Sequence, residues 1–333
     1  MTSVSLVIPC FNEKEYISGF IEKILSMDFS FYDVSIVVAD GMSNDGTRDI
    51  LFEKASKDKR IYIIDNVKRI VSSGLNLAIL FKNSEYIIRL DVHTLYEDDY
   101  IIRCIEALNG NLGNCVGGAW NIDPGNDLVS RAIATAFSSP FGSGGATSRD
   151  VSFNGKVDTV YLGAWRRLQL IKYGMFDENF VRNQDDELCL RIIKSGGVIY
   201  QSSSIKSKYF GRQSFIKLYM QFYQYGFWKP FVVAKHREFA SIRHLAPFLF
   251  VISTFTLAII SLSATAVFLL LYFLIISISI IVKKHKLQIS LIMLSTICVC
   301  IIHVAYGFGS IKGLLYLGLH RGKIVNSDIS ISR

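Results

Sequence analysis

Apolar runs and helical stripes alternate through the first hundred residues of the chain. Val4–Ile8 is a short apolar run stopped by Pro9 and reads as a buried strand. Glu13–Ser26 then places Tyr16, Ile17, Phe20, Ile21, Ile24 and Leu25 at helical spacing. Val34–Ala39 is a second strand of the buried type, and Asp45–Ala55 a second helix. Ile61–Ile64, Val71–Phe81 and Tyr86–Leu90 continue the order strand, helix, strand. This alternation predicts an α/β fold of Rossmann-like kind, a mixed, mostly parallel sheet with right-handed crossovers and flanking helices. Ligands of such sheets sit beyond the carboxyl ends of the strands. Those ends are Pro9–Glu13, Asp40–Thr47, Asn66–Arg69 and Asp91–His93, and all four are polar.

The pattern loosens between Val116 and Val160, where glycines gather and periodicity is weak, as in a long functional or mobile segment. Residues 184–195 read as a helix and Val198–Gln201 as a strand. Residues 213–229 carry Phe215, Leu218, Tyr219, Phe222, Tyr223 and Trp228 beside Lys217 and Lys229. This is either an amphipathic segment at a membrane interface or an ordinary surface helix. Phe248–Val282 then runs 35 residues without a charged side chain. As one helix it would be about 52 Å long against a hydrocarbon core of roughly 30 Å, so two spans turning near Ser261–Ser263 are favoured over one. Leu287–Tyr306 is a third span or a re-entrant piece. The division expected is a cytosolic α/β body over 1–205, an amphipathic interface segment over 206–247, a transmembrane region of two or three helices over 248–312 and a basic tail over 313–333.

Charge sharpens this division. The 36 Lys and Arg exceed the 28 Asp and Glu by eight, yet residues 1–202 carry 21 basic against 26 acidic side chains. The excess lies in 203–247, with eight basic and one acidic, and in 248–333, with seven and one. An acidic body argues against nucleic acid as a partner. Basic residues beside apolar runs mark the cytoplasmic side of a membrane, the alternative being a solvated basic face. The six cysteines form no zinc spacing and read as buried thiols of a reducing compartment. The apolar run at the N-terminus is too short for a signal peptide, so the body is expected in the cytosol at an inner membrane.

Three clusters carry chemistry. Asp40, with Ser43, Asp45 and Thr47 after it, suits either a base contact or a capped helix start. The strand Tyr86-Ile-Ile-Arg-Leu-Asp91-Val-His93 ends in Asp-x-His; in an extended segment positions i and i+2 share a face, so Asp91 and His93 are expected to converge. Such a pair leaves positions open on a divalent cation, with the imidazole tilting the choice from Mg²⁺ toward Mn²⁺. The third cluster is Gln184-Asp185-Asp186-Glu187 at a helix start, where carboxylates are electrostatically favoured in any case. Asp185, expected just before the helix proper, is the candidate general base. Asp186 would brace the loop and Glu187 would touch the acceptor or cap the helix.

The order Val7-Ile-Pro9-Cys-Phe-Asn12-Glu13, Asp40, Ser43-x-Asp45-Gly46-Thr47, Gly74-Leu-Asn76, Asp91-x-His93 and Gln184-Asp185-Asp186-Glu187 resembles the family 2 inverting glycosyltransferases of GT-A fold. The resemblance covers about residues 3–230 and is nearest the succinoglycan and exopolysaccharide branch, to which Arg212 and Tyr225-Gly226-x-Trp228 are also similar. It implies that Pro9, Asn12, Glu13, Asp40, Asn76 and Asp91 bind the nucleotide, with Asp40 toward a uracil-type base. It further implies Asp91 and His93 at the metal, Asp185 as base, and Arg212 or Lys229 at a phosphate. The family's second Asp beside Asp40 is replaced by Ala39 or Gly41, and the Gln-x-x-Arg-Trp motif of processive synthases is absent. The implied reaction is a single inverting displacement from a UDP-type sugar to a hydroxyl of a lipid-linked saccharide. Two rival readings are a polyprenyl-phosphate sugar synthase, whose ionised acceptor needs no base, and a non-catalytic membrane scaffold that binds a sugar nucleotide or a partner.

Overall fold

The computed structural model describes residues 1–238, 241–283 and 287–320, which form two compact units. One takes Met1–Asn121 and Asp150–Tyr209; the other takes Ile122–Arg149 and the chain from Phe210 onward. Most of the basic tail expected over 313–333, and Lys284, His285 and Lys286, lie outside the described residues.

The first unit opens with β1 (Thr2–Cys10), α1 (Ile17–Leu25), β2 (Tyr32–Asp40), α2 (Thr47–Lys57), β3 (Ile61–Asp65), α3 (Val71–Phe81) and β4 (Tyr86–Arg89). These are the alternating elements expected from the apolar pattern. β5 (Thr94–Tyr96), α4 (Tyr100–Asn109) and β6 (Cys115–Gly118) follow. β7 (Ile122–Asp123), α5 (Leu128–Ser138) and α6 (Pro140–Ser143) belong to the second unit. The first resumes with β8 (Gly155–Lys156), β9 (Tyr161–Arg166), α7 (Arg167–Lys172), α8 (Gln184–Lys194), β10 (Ile199–Gln201) and β11 (Ser207–Phe210).

Eight strands make one sheet in the order β3-β2-β1-β4-β9-β6-β10-β8. β1 to β4 are parallel, β9 runs against both β4 and β6, and β10 is parallel to β6. The sheet is thus mixed and mostly parallel. Helices cover both faces, which is why its strands are continuous apolar runs rather than alternating ones. Successive β4 side chains go to opposite faces. Tyr86 and Ile88 join Ile17, Ile21 and Tyr100 of α1 and α4 on one side, while Ile87 joins Leu75 and Ile79 of α3 and Leu188 and Ile192 of α8 on the other. Leu6, Val7 and Ile8 are fully buried between these layers, each contributing about 2 kcal/mol.

The second unit departs from expectation at both ends. The loosely patterned stretch 116–160 contains α5, whose Leu128, Val129, Ala132, Ile133, Ala136 and Phe137 lie at helical spacing behind an Asp127 cap on the Ser130 N–H at 2.9 Å. Alanines and threonines between them dilute the apolar signal. The segment 213–229 extends into α9 (Phe215–His236), which buries Phe222, Gln224, Phe227, Lys229 and Val232 around most of its circumference. A helix enclosed in this way is packed against protein and does not present a single face.

α10 (Ala246–Ile260), α11 (Leu262–Lys283) and α12 (Ile289–Leu319) complete the unit. Extended backbone at Ser261, φ −161° and ψ 119°, breaks the apolar run where the turn was expected. Phe250 stacks on Tyr272 at 4.1 Å, and Ser277 meets Thr296 at 3.0 Å, so α11 doubles back on α10 and α12 on α11. Among the described residues three helices, Arg243–Ile260, Leu262–Lys283 and Ile289–Leu319, are long and apolar enough to cross a membrane.

α12 meets α9 backbone to backbone. A Cβ on Gly309 would lie 2.1 Å from the Tyr223 carbonyl oxygen, and one on Gly313 would lie 2.3 Å from that of Phe227. This small-x-x-x-small spacing is a common device for close helix pairs in membranes. Pro230 denies an amide hydrogen to the Gly226 carbonyl four residues back. That oxygen accepts the Ser310 hydroxyl at 3.3 Å instead. Gly226 itself abuts the Tyr306 carbonyl, where a Cβ would stand 2.1 Å away. Gly226→Val is therefore expected to cost at least ~2 kcal/mol by forcing α9 and α12 apart. Thermal unfolding of the detergent-solubilised variant checks this; an unaltered midpoint would show that the pair can absorb the methyls.

Candidate active site

The carboxyl ends of β1, β2 and β3 lie level, with Cys10 opposite Asp40 and Asp40 opposite Asp65. The loops that leave them are laced together. Asn12, at φ 54°, donates its backbone N–H to Ser43 Oγ at 2.8 Å, accepts the Asn44 N–H on Oδ1 at 3.0 Å and donates Nδ2 to Asn44 Oδ1 at 3.2 Å. The Glu13 N–H donates to Thr47 Oγ1 at 2.8 Å. Pro9 remains half-buried in β1, beside Ala39. The family-like stretch 9–13 thus forms one wall with the loop 40–47.

Asp40 has no exposed surface. Its carboxylate accepts from the Ser43 N–H at 3.0 Å, the Ser43 hydroxyl at 2.5 Å and Arg48 Nη1 at 2.7 Å. Arg48 also reaches Asp65 at 2.8 Å. In this conformation Asp40 anchors its own loop, its carboxylate engaged within the protein. Arg48 was not singled out from the sequence, since one arginine in the first turn of a helix carries no signal.

Asn76 is likewise engaged within the protein. It is buried and spends its amide on the Phe176 carbonyl at 2.8 Å, the Glu178 carboxylate at 3.0 Å and the Phe176 N–H at 3.0 Å. It pins the loop before α8.

Asp91 and His93 do not lie in an extended strand. β4 stops at Arg89, and the Asp91 side chain accepts the His93 N–H at 2.9 Å, closing a turn. The i, i+2 argument therefore fails, but the turn still places both residues at the carboxyl edge. His93 Nε2 sits 3.0 Å from Glu13 Oε1, and its ring meets Tyr16 edge-on at 4.7 Å. Burial first, and then the fields of Asp40, Glu13, Asp45 and Asp91, push the Cys10 thiol far up. Four carboxylates thus crowd one edge of the sheet.

Among the described residues, no three His, Cys, Asp or Glu side chains cluster as a metal site. Mg²⁺ and Mn²⁺ sites commonly use one or two carboxylates, with substrate phosphate oxygens and water completing the shell. Asp91, with His93 beside it, fits that donor set.

The acidic triplet is split by helix geometry. α8 begins at Gln184, after Asn183 at φ 59°, so Asp185 lies inside the first turn and not ahead of it. Its side chain remains 42% exposed, and Oδ1 accepts from Arg89 Nη1. Desolvation by the crowded surroundings lifts the Asp185 carboxyl above its usual range, with Arg89 opposing and Asp186 and Asp91 adding to the rise. Asp186 is half-buried next to it. Glu187 is fully enclosed and holds Arg191 at 2.5 Å, which in turn bonds the carbonyls of Tyr173 and Met175. Facing inward, Glu187 can neither touch an acceptor nor cap α8 from outside. Arg212 and Lys229 belong to the second unit; Arg212 is half-exposed and Lys229 is buried within α9.

The family described as glycosyl transferase family 2 matches residues 5–162. Succinoglycan biosynthesis protein ExoA of Rhizobium meliloti is 33% identical over 249 residues, covering 74% of each chain. The dolichyl N-acetyl-alpha-D-glucosaminyl phosphate 3-beta-D-2,3-diacetamido-2,3-dideoxy-beta-D-glucuronosyltransferase of Methanococcus voltae is 29% identical, covering 79% of this chain and 83% of that protein. Among solved structures, the mannosyltransferase PcManGT of Pyrobaculum calidifontis, in complex with GDP-Man and Mn²⁺, superposes with a TM-score of 0.64. That match covers 93% of this chain and 86% of the other at 14% identity, and so speaks for the GT-A fold alone. The chain belongs to glycosyltransferase family 2, on the GT-A fold and with the exopolysaccharide-type members, and is a glycosyltransferase.

Proposed function

We propose that the chain transfers a hexose, with inversion, from a UDP-linked sugar to a hydroxyl of a lipid-linked saccharide during surface or exopolysaccharide synthesis. The observation that carries this reading is Asp185, a carboxylate open on one side, lifted in basicity and set at the same sheet edge as Asp91. Asp185 takes the proton of the acceptor hydroxyl as that oxygen attacks the anomeric carbon. Asp91, with His93, would hold a divalent cation, Mn²⁺ or Mg²⁺, which when bound neutralises charge on the departing diphosphate. The stretch 9–13 and the loop 40–47 close around the nucleotide.

The names of the relatives support the substrate class: one is a succinoglycan biosynthesis protein and one a transferase onto a dolichyl-linked sugar. Three apolar helices would keep such an enzyme beside its lipid-carried acceptor. Basic residues flanking them favour the inner membrane, with the catalytic unit on the cytosolic face.

The test is transfer by the detergent-solubilised full chain from UDP-, GDP- and dTDP-sugars, with and without Mn²⁺, to lipid-linked saccharides and to polyprenyl phosphate alone. Metal-dependent transfer from one UDP-sugar to a saccharide hydroxyl, giving a β-linked product from an α-linked donor, is expected. Transfer to the bare lipid phosphate would replace this reading with a phosphate-sugar synthase. Absence of nucleotide binding across the panel would leave only a scaffold.

A further inference from the structure

Arg89 is the residue that the proposed mechanism leaves without a task. It ends β4 on the face that carries Ile87, where the pattern calls for an apolar side chain packed under α8. Its side chain is only 7% exposed. A buried guanidinium is costly unless it is paired, and here the pairing is selective. Nη1 donates to Asp185 Oδ1, the cation lies over the Phe176 ring at 5.9 Å, and Nε finds no hydrogen-bond partner among the described residues. Among the described residues Asp185 Oδ2 accepts no hydrogen bond, so the base is gripped by one oxygen and presents the other.

We infer that Arg89 is a positioning residue for the base. It fixes the Asp185 carboxylate from beneath by Oδ1, so that Oδ2 faces the acceptor hydroxyl. Sequence separation hides the link, because 96 residues lie between the partners. The arrangement also explains a charge in an otherwise apolar strand. A fixed cation below the first turn of α8 lets Asp185 stay at an edge already crowded by carboxylates, without Oδ2 being turned away by Asp186. This inference rests on the reading of Asp185 as base and adds to it the group that aims it.

The test is a cycle of Asp185→Asn, Arg89→Met, Arg89→Lys and the double variant Asp185→Asn/Arg89→Met, assayed for transfer and for donor binding by calorimetry. Arg89→Met is expected to lower kcat about 100-fold, the scale of a misaligned catalytic group, with donor affinity within about twofold. Arg89→Lys should recover part of that loss, since a single ammonium can still meet Oδ1. The double variant should be no slower than Asp185→Asn alone, because Arg89 acts only through that carboxylate. Losses that multiply in the double variant, or a wild-type kcat in Arg89→Met, would overturn the positioning role. Donor affinity falling together with kcat would overturn it too, by marking Arg89 as part of the donor site or the core. Full activity in Asp185→Asn would instead refute the base itself, so the two failures are distinct.

Discussion

Asp185→Asn is expected to lower the transfer rate about 1,000-fold while leaving sugar-nucleotide affinity within about twofold. The substitution is nearly isosteric and keeps an oxygen that can accept from Arg89, so α8 should not move. What it removes is the lone pair that takes the acceptor proton. The pH dependence gives a second, independent readout. A base must be ionised to work, so the rate falls as pH drops through its pKa. Desolvation lifts the Asp185 carboxyl, and the acid limb should therefore lie above the ordinary ~3.9 of an exposed aspartate. In the Asn variant the residual rate should lose that limb. Asp186→Asn should cost less than about tenfold, and Glu187→Gln should act on stability, because Glu187 is sealed inside with Arg191. Wild-type transfer by Asp185→Asn would move the base elsewhere.

Sequence reading succeeded where physics is local. Apolar runs bounded by Pro9, Asp40 and Asp91 give strands and their ends, and the ends of parallel strands are where chemistry collects. The 9–13 and 40–47 loops meet as expected because β1 and β2 are neighbours in register. It failed where the decisive partner is distant or the backbone bends. Arg89 read as part of a strand, and nothing within a helical or strand period connects it to Asp185. Asn76 entered as a ligand only through the family resemblance, and its bonds to a loop 100 residues away are invisible to local pattern. Asp91 and His93 were aligned by a strand rule, whereas the Asp side chain prefers to bond the backbone two residues on and turns the chain. In α5 the misreading was one of dilution. Small residues weaken an apolar stripe, yet they are the residues that allow helices to pack closely, as Gly226 and Gly309 do.

The second large effect is expected at Asp91. Asn at this position can still accept the His93 N–H, so Asp91→Asn should keep the turn and remove only the charge. A diphosphate approaching this edge meets Glu13, Asp40, Asp45 and Asp91, the carboxylates whose fields reach Cys10. The nearby cations Arg48 and Arg89 are already paired with Asp40, Asp65 and Asp185. Repulsion between a diphosphate and this edge calls for a counter-charge, and a divalent ion held by Asp91 would supply it. Calorimetry of UDP should accordingly show Mn²⁺-dependent binding in the wild type. In Asp91→Asn that binding should weaken about 100-fold, to the level the wild type shows in chelator. His93→Gln should cost less than about tenfold, since Nε2 already faces Glu13 and its loss leaves the carboxylate in place. Equal UDP affinity in wild type and Asp91→Asn at saturating Mn²⁺ would remove Asp91 from the metal site. The burden of binding the diphosphate would then fall on Arg48 and Arg89, which would have to leave their present partners.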